Sequence, residues 1–588
     1  MIKNNLIYLI LLLIFLGVIV LKGSWHIISH LLLSVLLCLF PPLTHFWLVP
    51  GGLAWRNHRN TSGPLKLKGP CGWPILGSIP LMGPLAHRKL AALAASLGAK
   101  PAMALSLGLT PVIISSDPET AKEILCSPSF SDRPVKESAR SLMFERAIGF
   151  APSGVYWRHL RRIAANHMFS PRRISGLGGL RARIADQMME EVKKEHEGHG
   201  FVKLRRILQK GSLSIMLESV FGDMALELLD RREEMEDMVK EGYELIATFN
   251  WEDHFPLRLL DFFGVKRRCH ELAAKVRRLV GKVVEDRKRT RSEGLGFING
   301  NDFLSSLLSL PDEDQLNESD MVAVLWEMIF RGTDTVAILL EWIMARVVLH
   351  PDVQAKAQQE IDISVGGGRS VQDSDIASLP YLQHLVKEAL RLHPPGPLLS
   401  WARLSVRDVH VGKLLIPAGT TAMVNMWAIT HDPSVWKDPW AFNPDRFLEE
   451  DVLVMGTDTR LAPFGAGRRV CPGRAMGLAT VHLWLARLLQ RFRWLPVQAV
   501  DLSECLKLSL EMKKPLTCDA ISRNLLHKVP HSASETLLMV DVRLKVEVDG
   551  MVPQGVSIFH GVNKGSFWRW SRSRLWSWPN LWSKMEMA

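Results

Sequence analysis

The residues with the clearest chemistry in this 588-residue chain lie in its C-terminal third, between Phe464 and Gly473. By spacing the segment reads F-x-x-G-x-R-x-C-x-G and runs into an apolar helical stretch from Met476 to Leu489. The spacing predicts Pro472 in the first turn of that helix, where a missing N–H costs nothing. Cys471 then stands beside a helix N-terminus, whose partial positive charge favours a thiolate, the form that attacks electrophiles and binds metals. Gly465, Gly467 and Gly473 leave room for backbone, or a flat group, to approach the sulfur. Arg469, two residues before the cysteine, offers a fixed cation to a carboxylate. The plain alternative is a buried free thiol; so many fixed positions at this spacing argue against it.

Other groupings must be positioned by longer elements. Asp320 to His350 is the longest helical pattern, ended by Pro351. In its middle Gly332 and two threonines weaken the backbone ladder, and Asp334 followed by Thr335 could relay protons. An ordinary helix with a polar patch is the alternative. Arg331 has Glu327 at i−4 and Asp334 at i+3, so either could neutralise it; otherwise it could face a pocket and attract a substrate carboxylate. Glu388 and Arg391 share a helical face at i,i+3, as do Trp157 and Arg161 at i,i+4. Taken alone, each is more simply a surface pair, a cation–π pair for Trp157 and Arg161 and an ion pair for Glu388 and Arg391.

Taken together, the loop at Cys471, Asp334-Thr335, Glu388-x-x-Arg391, the Phe442–Phe447 segment and Trp157-x-x-x-Arg161 resemble the cytochrome P450 family, over about Pro64 to Arg523. The resemblance implies a mainly α fold with small β-sheets, preceded by an N-terminal membrane anchor. It implies haem b ligated through iron by Cys471, with Phe464 and Gly473 belonging to the haem loop. Trp157, Arg161, Arg403 and Arg469 would meet the propionates. Asp334 and Thr335 would serve oxygen activation, and Glu388, Arg391 and Arg446 would form a buried structural cluster. The loop from Phe130 to Gly149 would line the substrate pocket. Residues 330–337, 392–403 and 423–433 further resemble the plant A-type branch that contains the KLUH-like regulators of organ and seed growth, some members of which are associated with fatty-acid hydroxylation. In that branch Arg331 is normal, though the wider family has a small residue there. The activity implied is O2-dependent hydroxylation of an apolar small molecule, with electrons from NADPH through a separate NADPH-cytochrome P450 reductase; nothing in the chain resembles a flavin or nicotinamide site. That partner is expected on a basic face near Arg161, Arg162 and Arg468. The alternatives are an isomerase or dehydratase of the same fold that needs no O2, and a non-catalytic membrane haem protein.

Composition sets the remaining limits. Apolar residues make up 47% and charged residues 22%, as in a globular protein with a large core. Seven scattered cysteines without C-x-x-C suit a reducing compartment. The net charge of +12 reads as a membrane-lipid surface or an acidic protein partner, with no nucleic acid expected. Two apolar runs, Leu6 to Leu21 and Ile27 to Phe40, predict an anchor over 1–43, as one bent segment or a hairpin. Arg56, Arg59, Lys66 and Lys68 follow, which places the body on the cytoplasmic side of the endoplasmic reticulum membrane. Residues 44–80 read as a linker and a stiff proline-rich hinge, 81–523 as the haem domain. An apolar connection, Leu245 to Phe263, reads as core or as a membrane-dipping segment. Residues 524–588, rich in tryptophan and arginine, carry no family motif; a misjudged gene end and poor packing are expected there over an interfacial segment.

Overall fold

The computed structural model describes residues 49–58, 67–248, 250–255, 264–293, 302–399 and 402–523. The expected anchor, residues 59–66 of the linker, positions 256–263 of the apolar connection, Ser400 with Trp401, and the tail 524–588 lie outside the described residues. Among the described residues no helix is long and apolar enough to cross a membrane.

In chain order the elements that matter to the site are α1 (Ala86–Ser96), β1 (Met103–Leu107), β2 (Thr110–Ser115), α2 (Pro118–Cys126), α3 (Val155–His167), α4 (Gly178–His199), α5 (Leu204–Phe221), α6 (Arg232–Ala247), α7 (Val265–Ser292) and α8 (Glu318–Leu349). There follow α9 (Pro351–Ser364), α10 (Pro380–Leu392), β3 (Arg403–Leu404), β4 (Thr421–Val424), α11 (Arg474–Arg491), β5 (Phe492–Pro496), β6 (Glu504–Leu506), β7 (Leu510–Met512) and β8 (Thr517–Ser522). The fold is mainly helical with small sheets. The largest sheet has the order β1-β2-β4-β3, with β2 and β4 parallel and the outer pairs antiparallel.

The core is built around α8, about 48 Å long at 1.5 Å per residue. Asn317 caps it by accepting the Asp320 N–H at 2.8 Å, and Asp320 in turn receives two bonds from Arg146 at 2.6 and 2.8 Å. Every residue from Asp320 to Phe330 is buried, as befits a helix surrounded by others rather than lying on a surface. At Gly332 a β-carbon would lie 2.4 Å from Met216 Sδ of α5, so the missing side chain is what lets α5 and α8 pack this closely. The helix runs without a break through the expected weak point. Thr333 turns its hydroxyl back to the Ile329 carbonyl (2.7 Å), and Gly332 serves packing.

Two expectations about shape change. The second half of the hinge is not simply extended: Trp73 and Gly77 exchange backbone bonds at 2.7 and 2.8 Å, and Gly77, at φ +62°, lies against Ser106 so closely that a β-carbon would meet its carbonyl at 2.2 Å. The loop from Phe130 to Gly149 contains a short helix, Glu137–Ser141. The described part of the apolar connection is held to the protein: Asp253 accepts the Glu137 N–H (2.7 Å), His254 O accepts from Leu109 N, and Phe255 is buried.

β6 and β7 form a hairpin whose tip, Leu508-Ser509, reaches the central cavity. Its root is fixed by buried Glu504, which accepts from His87 Nε2 (2.9 Å) and Arg88 Nε (2.7 Å) of α1. Burial alone would raise the Glu504 carboxyl, but the surrounding His393, His87 and Arg88 hold it well below the usual carboxylate range. His393 Nδ1, at 3.8 Å, is too far for a hydrogen bond, so His87 and Arg88 make the direct contacts. Glu504→Ala is expected to cost about 3 kcal/mol in denaturant unfolding. A carboxyl lowered on folding stabilises above its unfolded pKa and loses that contribution as pH falls below about 4. The acid limb of the parent's stability profile should therefore be steeper than that of Glu504→Gln.

Candidate active site

The segment expected to carry the chemistry is a tight loop. Gly465 (φ +71°) and Gly467 (φ +66°) take left-handed conformations that favour glycine, and a β-carbon at Gly467 would sit 2.4 Å from the Leu125 carbonyl of α2. Gly465 N donates to Ala462 O (2.8 Å), and Cys471 N to Phe464 O (3.0 Å). α11 begins at Arg474 with Gly473 as its N-cap, so Pro472 precedes the cap rather than occupying the first turn. The Gly473 carbonyl accepts the first helical bond, from Gly477 N at 2.8 Å.

Cys471 lines a cavity of about 290 Å³. Burial pushes its thiol above the ordinary range, against the Gly473 N–H and the charges of Arg331, Arg161 and Arg474. Burial thus works against the helix terminus here, and a coordinated metal deprotonates a thiol outright.

Five arginines line the same cavity: Arg133, Arg161, Arg331, Arg403 and Arg469. Arg469 donates to the carbonyls of Ser131 (3.0 Å) and Ala151 (2.7 Å), Arg403 to Ala466 (3.0 Å), and Arg133 to Gly149 (3.2 Å) and Ala402 (3.3 Å). Arg161 donates to Val470 O. Trp157 is buried, with its indole N–H on Ile148 O at 3.0 Å. The cation over its ring is Arg469, 4.2 Å from the centroid, and not Arg161. Burial lowers Arg133 well below its ordinary value, with repulsion from Arg403 and Arg469 adding to it, and lowers Arg403 to about 9, where Arg469 is the largest opposing charge. Burial also brings Arg469 down to about 10.

Those residues fit the haem implied by the sequence. Arg403 Nε is buried without a hydrogen-bond partner, Gly465 has nothing within 4 Å of where a β-carbon would stand, and one thiol faces apolar walls with a cationic rim. A flat, apolar ring with carboxylate arms matches that donor set. Phe464 and Gly473 line the cavity too.

From α8, Glu327, Arg331, Gly332 and Thr335 line the cavity. Asp334 does not: it turns toward α5, where Gln209 Nε2 donates to it at 3.3 Å, and burial raises its carboxyl to about 6. Neighbours on a helix point about 100° apart, and here Thr335 takes the cavity side while Asp334 takes the α5 side. Arg331 pairs with Glu327 (Nε to Oε1, 3.4 Å) rather than with Asp334, and it also faces the cavity.

Behind the cysteine loop the structure brings Glu388, Arg391 and Arg446 together. Arg391 forks onto Glu388 with two bonds of 2.8 Å and donates to the carbonyls of Thr430, Pro439 and Ala441. Arg446 Nε reaches Glu388 at 3.1 Å, and the Asn443 N–H adds a bond of 2.9 Å. Glu388 and Arg391 have no exposed side-chain surface.

Sequence reasoning missed Arg133, Gln209 and the hairpin tip at Leu508-Ser509. Each enters the site through a fold-back contact with no local spacing to announce it.

A family model described as Cytochrome P450 matches residues 67–518. Cytochrome P450 78A5 of Arabidopsis thaliana is 53% identical over 488 residues, covering 82% of this chain and 93% of that protein. Cytochrome P450 78A3 of Glycine max is 52% identical, covering 80% and 91%. A flavonoid 3',5'-hydroxylase of Crocosmia x crocosmiiflora is 33% identical, covering 79% and 93%. Among solved structures, a zebra fish cytochrome P450 with progesterone superposes with a TM-score of 0.63 at 25% identity, covering 74% of this chain and 99% of that one.

Proposed function

This chain belongs to the cytochrome P450 family, as a haem-thiolate monooxygenase fed by reductase-supplied electrons, and we propose that its substrate is a fatty acid or a fatty-acid-derived growth signal. The observation that carries this reading is that Cys471 and Thr335 line one cavity whose walls include Ile215, Met216, Met328, Val336 and Leu339. Such walls exclude water and take up an apolar chain. Haem b, when bound through Cys471, supplies the activation of O2. Arg133, Arg161, Arg403 and Arg469 would hold its propionates, and Trp157, whose indole N–H is taken by Ile148 O, would support them by stacking under Arg469.

Asp334 and Thr335 divide the proton work. Thr335 presents a hydroxyl to the cavity, where it orients a proton donor. Asp334, raised to about 6, takes and releases a proton near neutral pH from the α5 side, steadied by Gln209. NADPH-cytochrome P450 reductase would dock on the basic face at Arg468 and Arg162, whereas Arg161 is turned inward onto Val470 O. The anchor read from residues 1–43 would hold the protein on the endoplasmic reticulum membrane with its body in the cytoplasm.

Metabolite profiling of membranes containing the protein and a reductase, with and without NADPH, should reveal the hydroxylated product. With that product as the readout, Thr335→Ala is expected to lower its formation by about 100-fold while haem content stays the same. Undiminished product formation by this variant would refute the role given to Thr335.

A further inference from the structure

Just outside the cavity the chain carries an exposed serine in a strongly basic setting. Phe169 lines the cavity, and its ring lies 3.3 Å from where a β-carbon on Gly473 would stand, so the chain there passes directly beside the cysteine loop. A six-residue helix, Pro171–Gly176, follows at once, with the sequence Pro-Arg-Arg-Ile-Ser-Gly. Its six residues rise about 9 Å, which keeps Ser175 within two helical turns of Phe169.

None of those residues is buried, and Ser175 is exposed. Among the described residues the Ser175 hydroxyl has no hydrogen-bond partner, and exposed Arg172 makes no ion pair. Arg173 reaches back with Nε to His167 O at 3.1 Å. The helix is held lightly: Ile174 leans on the core, its carbonyl accepts from Arg181 Nη2 at 2.7 Å, and Gly178 and Gly179 come next. A segment with so little burial opens at low cost, as it must to lie extended in another enzyme's cleft. Arginines three and two residues before a serine are charges that a kinase with an acidic cleft can read through paired carboxylates. Ser292 provides the contrast. It too has an arginine three residues before it, but its hydroxyl donates to Arg289 O at 2.8 Å, Arg289 pairs with Asp286 at 2.9 Å, and Arg291 donates to Leu308 O at 2.6 Å.

We propose that Ser175 is a phosphorylation site for an arginine-directed serine kinase, and that its phosphate slows electron delivery to the haem. ATP supplies the phosphoryl group. Ser175 Oγ bonds to the γ-phosphorus, the bond from that phosphorus to the β,γ-bridging oxygen breaks, ADP leaves with the electron pair, and the hydroxyl proton passes to the kinase's base. The neutral serine then carries a charge of about −1.5 to −2 at pH 7. Arg172, at i−3 on the same helical face, is placed to meet it, and the positive charge of Arg172 and Arg173 is cancelled where the chain borders the cysteine loop. Asp373, beside Gly178, is already held by buried Arg181. The second half of the inference rests on the reading that the reductase approaches a basic face with the body in the cytoplasm; removing positive charge from that approach lowers the encounter rate.

The test incubates the purified haem-loaded full chain with ATP and the catalytic subunit of cyclic-AMP-dependent kinase, which selects arginine at these two positions, and maps phosphate by mass spectrometry. Phosphate is expected on Ser175 about 10-fold faster than on Ser292, and Arg172→Gln should remove that advantage, the worth of a charge-assisted bond. Ser175→Ala should remove the site while leaving thiolate-haem absorption and reduction by NADPH-cytochrome P450 reductase as in the parent. At low ionic strength the phosphorylated parent should be reduced about 3-fold more slowly than the unmodified protein. The two rates should converge at about 1 M salt, where the Debye length is about 3 Å. Absence of phosphate from Ser175, a preference for Ser292, or a low-salt rate that phosphorylation leaves unchanged would overturn the proposal. An unmodified parent that the reductase does not reduce would instead overturn the reading of its electron partner, with the mapping of Ser175 standing apart from that result.

Discussion

Cys471→Ser is expected to abolish thiolate-ligated haem and all oxygenation. The serine hydroxyl stays protonated at neutral pH and donates far less electron density to iron than a sulfur anion, so the variant loses both the bond and the push that favours O–O cleavage. The loop geometry does not depend on the sulfur, because Gly465, Gly467 and the Cys471 N–H bond to Phe464 O set it. The polypeptide should therefore fold while its cavity arginines face one another without propionates. Loss of a ligand that binds the folded state alone lowers stability by about 4 kcal/mol when the ligand was present at a thousand times its Kd. The reduced carbonyl-adduct spectrum and the Tm of parent and variant check both parts. An unchanged spectrum in Cys471→Ser would remove the sulfur from the iron.

Glu388→Ala is expected to be nearly as severe, for a structural reason. It would leave Arg391, wholly buried, with three backbone carbonyls and no counter-charge. Stranding a buried charge costs about 3–5 kcal/mol, against a total stability of about 5–15 kcal/mol for a folded domain. Arg391→Ala should cost a similar amount. Arg446→Ala should cost less, because Arg446 keeps some contact with water and Glu388 would retain Arg391 and the Asn443 N–H. Soluble yield and denaturant midpoints measure the order. An Arg446→Ala variant as damaged as Glu388→Ala would contradict it.

Much of the site was legible because its chemistry is local. Cys471, Arg469 and three glycines share one ten-residue segment, and Glu388 with Arg391 share one helical face, so spacing alone places them. The distribution of partners was not legible. Spacing offered Arg161 to Trp157, whereas Arg469 arrives from more than 300 residues away; it offered Asp334 and Glu327 equally to Arg331, and the approach of Gly149 selects Glu327. Arg133 sits in a loop of mixed character and reaches the cavity because that loop folds over α8. Helix edges also drifted by a residue or two: Pro472 suits the turn before a cap as well as the first turn, since neither place needs its N–H.

The hairpin rooted at Glu504 couples two distant parts of the molecule. His87 and Arg88 grip its base from α1, while Leu508 and Ser509 at its tip form part of the chamber wall. A replacement at position 88, on the periphery, would thus be felt as a change in which molecules are accepted. Selectivity in this enzyme can drift by mutations that never touch what it oxidises.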